Sequence, residues 1–254
     1  MFLLVAYVRH VRKTCKVTHP SHLNRWFRGS GQTGTSGGCP FFLLKIMSMN
    51  TKQSLRKQIR EQRRSLTAQQ RDHLSKQMCA RIARLTNIFI NKKIAIYWPF
   101  DGEISPLPLV HKCRNQPVKF YLPNLPHFKW QPMHFCRFTP KSKFENNRFG
   151  IPEVICTRKC SITAKELDVV LMPLVGFDST GNRLGMGGGF YDRTFSYLSN
   201  RKSLHKPKLI GLAYEFQHIG HLESEPWDIP LTAVVTEKSI YNFKKHPHMK
   251  HHSL

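Results

Sequence analysis

The chain is poor in acidic side chains. Its 254 residues hold 15 Asp and Glu against 40 Lys and Arg, a formal net charge of +25 at pH 7. It also has no apolar run near the roughly 18 residues of a membrane-spanning helix, which excludes a helical membrane protein. The hydrophobic content of 40% is nevertheless that of a folded protein. The positive excess predicts attraction to a polyanion: nucleic acid, nucleotide phosphates or an acidic small molecule.

The seven cysteines show no spacing typical of a metal site or a disulfide framework. Cys156 and Cys160 are near each other in the sequence, but no second pair accompanies them. We therefore expect neither a zinc ribbon nor a disulfide scaffold. A reducing cytosol is the simplest setting, so we expect a cytoplasmic protein.

The first 48 residues differ from the rest because they carry seven basic side chains and no acidic one. Their apolar opening precedes the basic cluster, the reverse of a signal peptide, and residues 28–39 are rich in Gly, Ser and Thr. We predict that residues 1–48 form an unstructured leader and that translation natively starts at Met47 or Met49. A basic arm for RNA or a membrane surface is the alternative.

Hydrophobic periodicity divides the remainder into alternating elements. Thr67 and Gln70 fit a helix capping box, and Ser105-Pro106 fits the start of another helix. The predicted helices cover 52–65, 67–85, 107–115 and 190–199, and the predicted strands cover 92–100, 118–125, 133–140, 168–178, 208–216 and 231–241. This alternation predicts an α/β domain over 49–243, with three layers and a largely parallel sheet covered by helices on both faces. We expect the histidine-rich residues 244–254 to be a flexible tail, with metal binding by the tail as the alternative.

A glycine-rich loop follows the most apolar predicted strand. Gly185, Gly187, Gly188 and Gly189 remove side chains from a turn that opens a helix, so that backbone N–H groups can converge on a phosphate. Arg183 precedes these glycines and can pair with a phosphate oxygen. Asp192 follows them and can hold Mg²⁺ against the same phosphates. The pattern is neither a P-loop nor a dinucleotide-binding fingerprint, and a glycine-rich turn without a ligand is the alternative.

These residues give the sequence a specific resemblance to the 5-formyltetrahydrofolate cyclo-ligase family. The strand reads Asp168-VVLM-Pro173-LVG-Phe177-Asp178, and the loop reads Gly181-N-Arg183-LGMGGGFY-Asp192, with the family's spacing unbroken. The resemblance extends over about 52–243, and Phe190 stands where tyrosine is usual. It implies ATP-dependent cyclisation of 5-formyltetrahydrofolate to 5,10-methenyltetrahydrofolate, with ADP and phosphate as products.

The resemblance also implies which residues bind ATP and metal. Lys52 and Arg56 match a Lys-x-x-Leu-Arg pattern that contacts phosphates; by themselves they would be interpreted as a solvated helix face. With Arg183 they are the expected catalytic cations. Asp192 and Asp228, the latter in a Pro-Trp-Asp motif, are the expected Mg²⁺ ligands. The implied ATP-binding set is Lys52, Arg56, Arg183, Leu184, Gly185, Met186, Gly187, Gly188, Gly189, Phe190 and Tyr191.

On the folate side, the resemblance implies that Trp98 lies against the ring system and that Glu103 accepts hydrogen bonds from pterin nitrogens. Phe149 is implied to be a wall of the same site. By sequence alone, a core tryptophan and a turn glutamate are equally good interpretations of the first two. The implied substrate-binding set is Trp98, Glu103, Phe149, Met186, Gly187, Gly188, Gly189 and Phe190.

Two other functions remain open at this stage. One is a basic nucleic-acid-binding protein, and the other is a different ATP- or phosphosugar-handling enzyme that shares only the loop. We expect a monomeric ligase with small-molecule substrates, Mg²⁺ as cofactor and ATP as co-substrate. We expect no nucleic-acid or membrane partner.

Overall fold

The computed structural model describes residues 40–84, 89–128, 130–156, 160–199 and 206–243, with side chains from Lys52 onward. The chain divides into two compact units, Met1–Met47 and Ser48–Leu254. Only 40–47 of the first unit are described, and their backbone is helical. Residues 1–39 of the predicted leader and the predicted tail over 244–254 lie outside the described residues.

Two long helices open the described chain. The first, α1, runs over Pro40–Ser65, and the second, α2, over Ala68–Ala83. The predicted helix over 52–65 is therefore confirmed, but α1 also includes 40–48, for which the sequence analysis expects no structure. Proline is favourable at the first helical position, and Leu, Met and Lys in the following residues are good helix formers. The capping box of α2 is confirmed: the Gln70 N–H donates to Thr67 Oγ1 at 3.2 Å, and the Thr67 N–H donates to Gln70 Oε1 at 2.8 Å.

The remaining elements are short. Helix α3 covers Leu107–Lys112 and α4 covers Phe190–Phe195. The strands are β1 Lys93–Ala95, β2 Lys119–Asn124, β3 His134–Arg137, β4 Phe144–Asn146, β5 Pro152–Val154, β6 Ser161–Ile162, β7 Val169–Pro173, β8 Gly176–Phe177, β9 Arg183–Leu184, β10 Lys208–Leu212, β11 Ala233–Val235 and β12 Ile240–Asn242.

An eight-stranded sheet organises the second unit, in the order β12-β11-β10-β7-β1-β2-β3-β6. The five strands from β11 to β2 are parallel, and β12, β3 and β6 extend the sheet antiparallel at its edges. Met78 and Ile82 of α2 and Leu109 of α3 pack on one face of it. Phe195 of α4 packs on the other face. The prediction of an α/β fold with a mostly parallel, helix-covered sheet is confirmed.

The predicted strands over 92–100 and 208–216 are shorter in the structure, as β1 and β10, and two other predicted strands are each divided. The run 168–178 divides into β7 and β8, and β8 leaves the sheet to pair antiparallel with β9. The run 231–241 divides into β11 and β12, which pair antiparallel across a turn in which the Thr236 N–H donates to Ser239 O. Both runs are buried along much of their length, so their hydrophobic pattern does not show where the chain turns.

Two of the cysteines form a pair that the sequence analysis did not anticipate. Cys136 in β3 and Cys156 after β5 form a disulfide, with their Cα atoms 6.3 Å apart. The spacing did not indicate this pair because its partners are separated by 20 residues. The β4–β5 hairpin brings them together: Asn124 Nδ2 of β2 donates to Val154 O of β5 at 2.9 Å.

The strand order determines where a ligand can bind. From β1 the chain passes through α3 to β2 on one side, whereas β7 and then β10 lie on the other side. The order therefore reverses between β1 and β7. In such sheets the crevice forms beyond the carboxyl ends of the strands at the reversal. The segment carrying Trp98 and Glu103 follows β1, and the glycine-rich loop comes after β7 and the β8–β9 hairpin.

Candidate active site

The glycine-rich loop joins β9 to α4. Gly187 and Gly189 adopt φ values of +92° and +63°, which favour glycine over any other residue. An added Cβ at Gly185 or Gly187 would meet no heavy atom within 4 Å among the described residues. The backbone of the loop therefore has room for a close-fitting ligand. Helix α4 is only six residues long, so its dipole is small and the backbone N–H groups themselves are the main attraction for an anion.

Two arginines fix the loop through its carbonyl oxygens. Arg56 of α1 donates from Nε to Gly185 O at 2.8 Å, and Arg193 donates from Nη2 to Gly188 O at 2.7 Å. Orienting carbonyls toward guanidinium groups leaves the loop N–H groups on other sides of the backbone. Arg56, a predicted phosphate contact, thus reaches the loop. Arg193 was missed by the sequence analysis, since a basic residue in a short helix carries no distinctive pattern.

Arg183 and Asp192 form an ion pair at the start of α4. The Arg183 side chain is only 7% exposed, and it also donates to Ile229 O. The Ile229 N–H lies 3.5 Å from Asp192 Oδ1, which joins this pair to the segment carrying Asp228. The structure therefore brings three predicted site residues into one region. It also shows that each predicted charge already has a protein partner.

Lys52 reaches the same segment from α1. Its Nζ lies 3.8 Å from Glu225 Oε1, and the Glu225 N–H donates to Asp228 Oδ2 at 2.9 Å. Glu225 is a partner that the sequence analysis missed, because an isolated acidic residue in a loop gives no signal. Contacts through α1, α4 and the segment 225–229 thus link the glycine-rich loop with Lys52, Arg56 and Arg183.

The two predicted metal ligands meet a simple chemical requirement. Mg²⁺ is commonly held by one or two carboxylates together with substrate phosphates. Among the described residues, the hydrogen bonds that these carboxylates accept end on Asp192 Oδ1 and Asp228 Oδ2, so each carboxylate keeps its other oxygen for an ion. Within the same residues, no cluster of three or more His, Cys, Asp or Glu side chains forms a metal site. The donor set suits an ion shared with a nucleotide.

A buried aspartate shapes the turn before Arg183. Asp178 is 1% exposed and accepts five hydrogen bonds, from Thr180 N and Oγ1, Asn182 N and Nδ2, and Leu222 N. Burial alone would raise the pKa of Asp178, but these hydrogen bonds hold it below its ordinary value. These hydrogen bonds hold the turn around the Asp178 carboxylate and so fix where β9 begins.

The predicted folate contacts lie on two neighbouring segments. The ring of Trp98 packs against Phe144 of β4 at a centroid distance of 5.1 Å. Phe149, at the tip of the β4–β5 hairpin, is 50% exposed and meets the edge of Phe190 at 6.4 Å. The hairpin therefore contacts the segment after β1 at one end and the start of α4 at the other.

Glu103 is an unusual acid for its position. Its side chain is 11% exposed, and burial raises its pKa to about 7 although Arg63 and the Phe100 N–H act to lower it. Burial raises the pKa of Tyr191 on α4, and the charge of Glu103 raises it further, so the two side chains interact electrostatically. A buried carboxylate with a raised pKa, facing the tyrosine that follows the glycine-rich loop, suits recognition of a nitrogen heterocycle.

A cavity of about 1000 Å³ lies between α2, α3 and the segment 99–105. Of the predicted site residues only Glu103 lines it; the glycine-rich loop, Trp98 and Phe149 do not. We therefore place the candidate active site at the carboxyl ends of β1 and β7, where the motif residues contact one another, rather than in this cavity. None of the helices in the described part of the chain has the length and apolar character needed to cross a bilayer.

Comparisons with known proteins point to one family. The sequence model of the 5-formyltetrahydrofolate cyclo-ligase family matches residues 48–237. Over 185 residues, 73% of this chain, it is 38% identical to 5-formyltetrahydrofolate cyclo-ligase of Haemophilus influenzae, of which 97% is covered. The same enzyme of Escherichia coli is 35% identical over 73% of this chain and 100% of its own length. The structure of 5,10-methenyltetrahydrofolate synthetase from Aquifex aeolicus superposes with a TM-score of 0.62 at 29% identity, covering 80% of this chain and 99% of that one.

Proposed function

The chain belongs to the 5-formyltetrahydrofolate cyclo-ligase family, and on that premise we propose how its residues share the work of the reaction. The enzyme is a ligase that converts 5-formyltetrahydrofolate to 5,10-methenyltetrahydrofolate with ATP as co-substrate. Membership of the family decides against the two rival functions, a nucleic-acid-binding protein and an unrelated ATP- or phosphosugar-handling enzyme.

The chemistry sets what the protein has to do. A formyl oxygen is a poor leaving group, so ring closure by N10 needs that oxygen to be activated. We propose that the oxygen attacks the γ-phosphate of ATP and releases ADP. N10 then attacks the formyl carbon and gives up its proton to solvent, and the carbon–oxygen bond breaks so that the oxygen departs with phosphate. No protein nucleophile is needed, so the residues act by positioning the substrates and neutralising phosphate charge.

The observation that supports the ATP half of the site is the contact between α1 and the glycine-rich loop. Arg56 Nε lies 2.8 Å from Gly185 O. The Lys-x-x-Leu-Arg motif and the glycine-rich loop, which are 129 residues apart in sequence, therefore lie side by side. We assign the backbone of Leu184–Tyr191 to the phosphates. Lys52, Arg56 and Arg183 neutralise the charge that moves to the leaving ADP. Each terminal nitrogen of Arg183 already donates one hydrogen bond and keeps a second N–H, so the guanidinium can be shared between Asp192 and phosphate.

For the folate half, we assign Glu103 to the pterin nitrogens and Trp98, Phe149 and Phe190 to its aromatic walls. Met186 and the three glycines that follow it complete the folate side of the loop. The edge contact of Phe149 with Phe190 supports this, because it brings the hairpin to the loop where the two substrates must meet. The hydroxyl that a tyrosine would carry at position 190 is absent, and aromatic packing needs none.

We propose that Asp192 and Asp228 hold Mg²⁺. Their free carboxylate oxygens and their place beside the proposed phosphate site support the assignment. The ion would neutralise phosphate charge, and it would explain why two carboxylates lie where phosphates bind. We further propose a monomeric cytoplasmic enzyme without nucleic-acid or membrane partners, whose catalytic domain spans residues 49–243.

ADP release measured with and without 5-formyltetrahydrofolate tests the proposed function. We expect release to depend on the folate and to match formation of the methenyl product one for one. Release that ignores the folate, or that is replaced by binding to RNA at physiological salt, would contradict the assignment. The Arg183→Gln variant, whose side chain keeps a donor but lacks charge, should lower turnover by at least about 100-fold, the scale of losing one transition-state contact.

A further inference from the structure

Arg63, near the end of α1, is the most completely buried charged side chain of the described residues. Its exposure is 0%, and its Nε and Nη1 groups have no hydrogen-bond partner among those residues. Its Nη2 group donates to Asp101 Oδ2 at 3.3 Å. A buried guanidinium with unmet donors costs stability, so its presence needs a reason other than the fold.

Asp101 does not supply that reason, because two other arginines bind it more closely. Arg60 and Arg64 approach Asp101 through Nε at 2.6 and 2.5 Å. The carboxylate would remain paired without Arg63. Arg63 differs from both in a second contact: its Nη1 group lies 3.8 Å from Glu103 Oε1.

We infer that Arg63 is a positioning residue, which rests on Asp101 and holds Glu103 in place as an anion for the pterin ring. The inference rests on the proposed folate role of Glu103. The 3.8 Å separation is within ion-pair range but longer than a hydrogen bond. A ligand that draws the Glu103 carboxylate toward its own N–H donors needs a cation behind that carboxylate, and Arg63 is the cation in that place.

Among the groups that face Glu103, Arg63 is the one that favours its ionised form. Burial has the largest effect and raises the pKa of Glu103; Arg63 is the cation that acts to lower it, and Asp101, on the same turn, acts to raise it. The charged or titratable groups facing Glu103 are Arg63 of α1, Asp101 of its own turn, Tyr97 after β1, Tyr191 of α4 and Tyr214 after β10. The three tyrosine hydroxyls stay neutral at physiological pH, since burial raises the pKa of each of them, that of Tyr214 to about 12.

The test is the pH dependence of kcat/KM for 5-formyltetrahydrofolate at saturating ATP, which reports ionisation of the free enzyme. In the wild type we expect kcat/KM to rise with pH through a midpoint near the Glu103 pKa of about 7. In Arg63→Met we expect that midpoint to move up by about 1–2 pH units, because an opposite charge at this range lowers a carboxyl pKa by that amount. At pH 7 this lowers kcat/KM about tenfold or more, whereas at about pH 9 most of the loss should be recovered.

Matched variants separate positioning from folding. Arg64→Met removes another arginine from Asp101 without touching Glu103, so its profile should match the wild type. Arg63→Lys keeps the charge and should leave the midpoint near its wild-type value, whereas Arg63→Gln keeps donors without charge and should behave like Arg63→Met. The KM for ATP should stay within about twofold in all of them. Thermal unfolding of each variant checks the fold.

Each outcome decides the matter. A loss of activity in Arg63→Met that is the same at every pH, or unfolding of all three Arg63 variants, would make Arg63 purely structural and overturn the inference. Glu103→Gln distinguishes the two levels of argument. If it weakens folate binding and flattens the profile while Arg63→Met moves nothing, only the inference fails. If Glu103→Gln leaves folate binding unchanged, the proposed role of Glu103 fails as well.

Discussion

At the scale of single residues, Glu103 combines a proposed functional role with a cost in stability. Its pKa is about 7 in the folded protein against 4.5 for an ordinary glutamate, with burial as the largest cause. A group whose pKa is raised on folding contributes stability below its unfolded pKa, and loses that contribution as pH rises through the folded value. Between about pH 5 and pH 8, Glu103→Gln should therefore gain about 1–3 kcal/mol in unfolding free energy relative to the wild type. Urea denaturation of both proteins at the two pH values measures this, and a constant difference would contradict it.

A variant of Asp192 gives the sharpest test of the metal hypothesis. A plain ion-pair partner of Arg183 and a Mg²⁺ ligand predict different behaviour of Asp192→Asn. As a ligand, its loss should leave folding nearly normal, lower turnover by at least about 100-fold and raise the Mg²⁺ concentration needed for half-saturation. Asp72→Asn serves as a control carboxylate, because its partner Lys76 lies on an exposed face of α2. Wild-type Mg²⁺ dependence and turnover in Asp192→Asn would remove it from the proposed metal site.

At the scale of elements, the glycine-rich loop can be tested without disturbing the fold. Gly185 has neither a positive φ nor a neighbour within 4 Å of an added Cβ, and the same is true of Gly220 far along the chain. Gly185→Ala should thus change stability by less than about 1 kcal/mol, as should Gly220→Ala. If phosphates pack against the loop, Gly185→Ala alone should raise the KM for ATP, by about tenfold or more. Equal ATP kinetics in the two variants would place the phosphates elsewhere.

At the scale of the whole molecule, the question is how much of the chain the reaction needs. The compact second unit begins at Ser48, and the family match begins at residue 48. Removing residues 1–48 should therefore preserve both the melting temperature and the turnover number. Removing only 1–39 retains all of α1 and is the matched control. Loss of activity in the longer deletion alone would show that 40–48 support Lys52 through the helix. Loss in both would contradict the predicted leader.

Much of this protein was determined by its sequence at short range. The capping box at Thr67, the α/β class and the order of the main elements follow from patterns that repeat within a few residues. The motif residues from Gly181 to Asp192 are contiguous, so the family could be named from the sequence. Lys52, Arg56, Glu103 and Asp228 were reached only through that resemblance, since each of them alone fits a solvated face or an ordinary turn.

Tertiary structure decided the features whose partners are distant in sequence. Where the runs 168–178 and 231–241 turn depends on strands that pair with them, and burial on both faces hides those turns from periodicity. Arg56 meets Gly185 across 129 residues, and Arg63 meets Asp101 across 38. The sequence states which side chains can carry a charge. The partner that it meets, and therefore its ionisation and its role, depends on how helices and loops pack around the sheet.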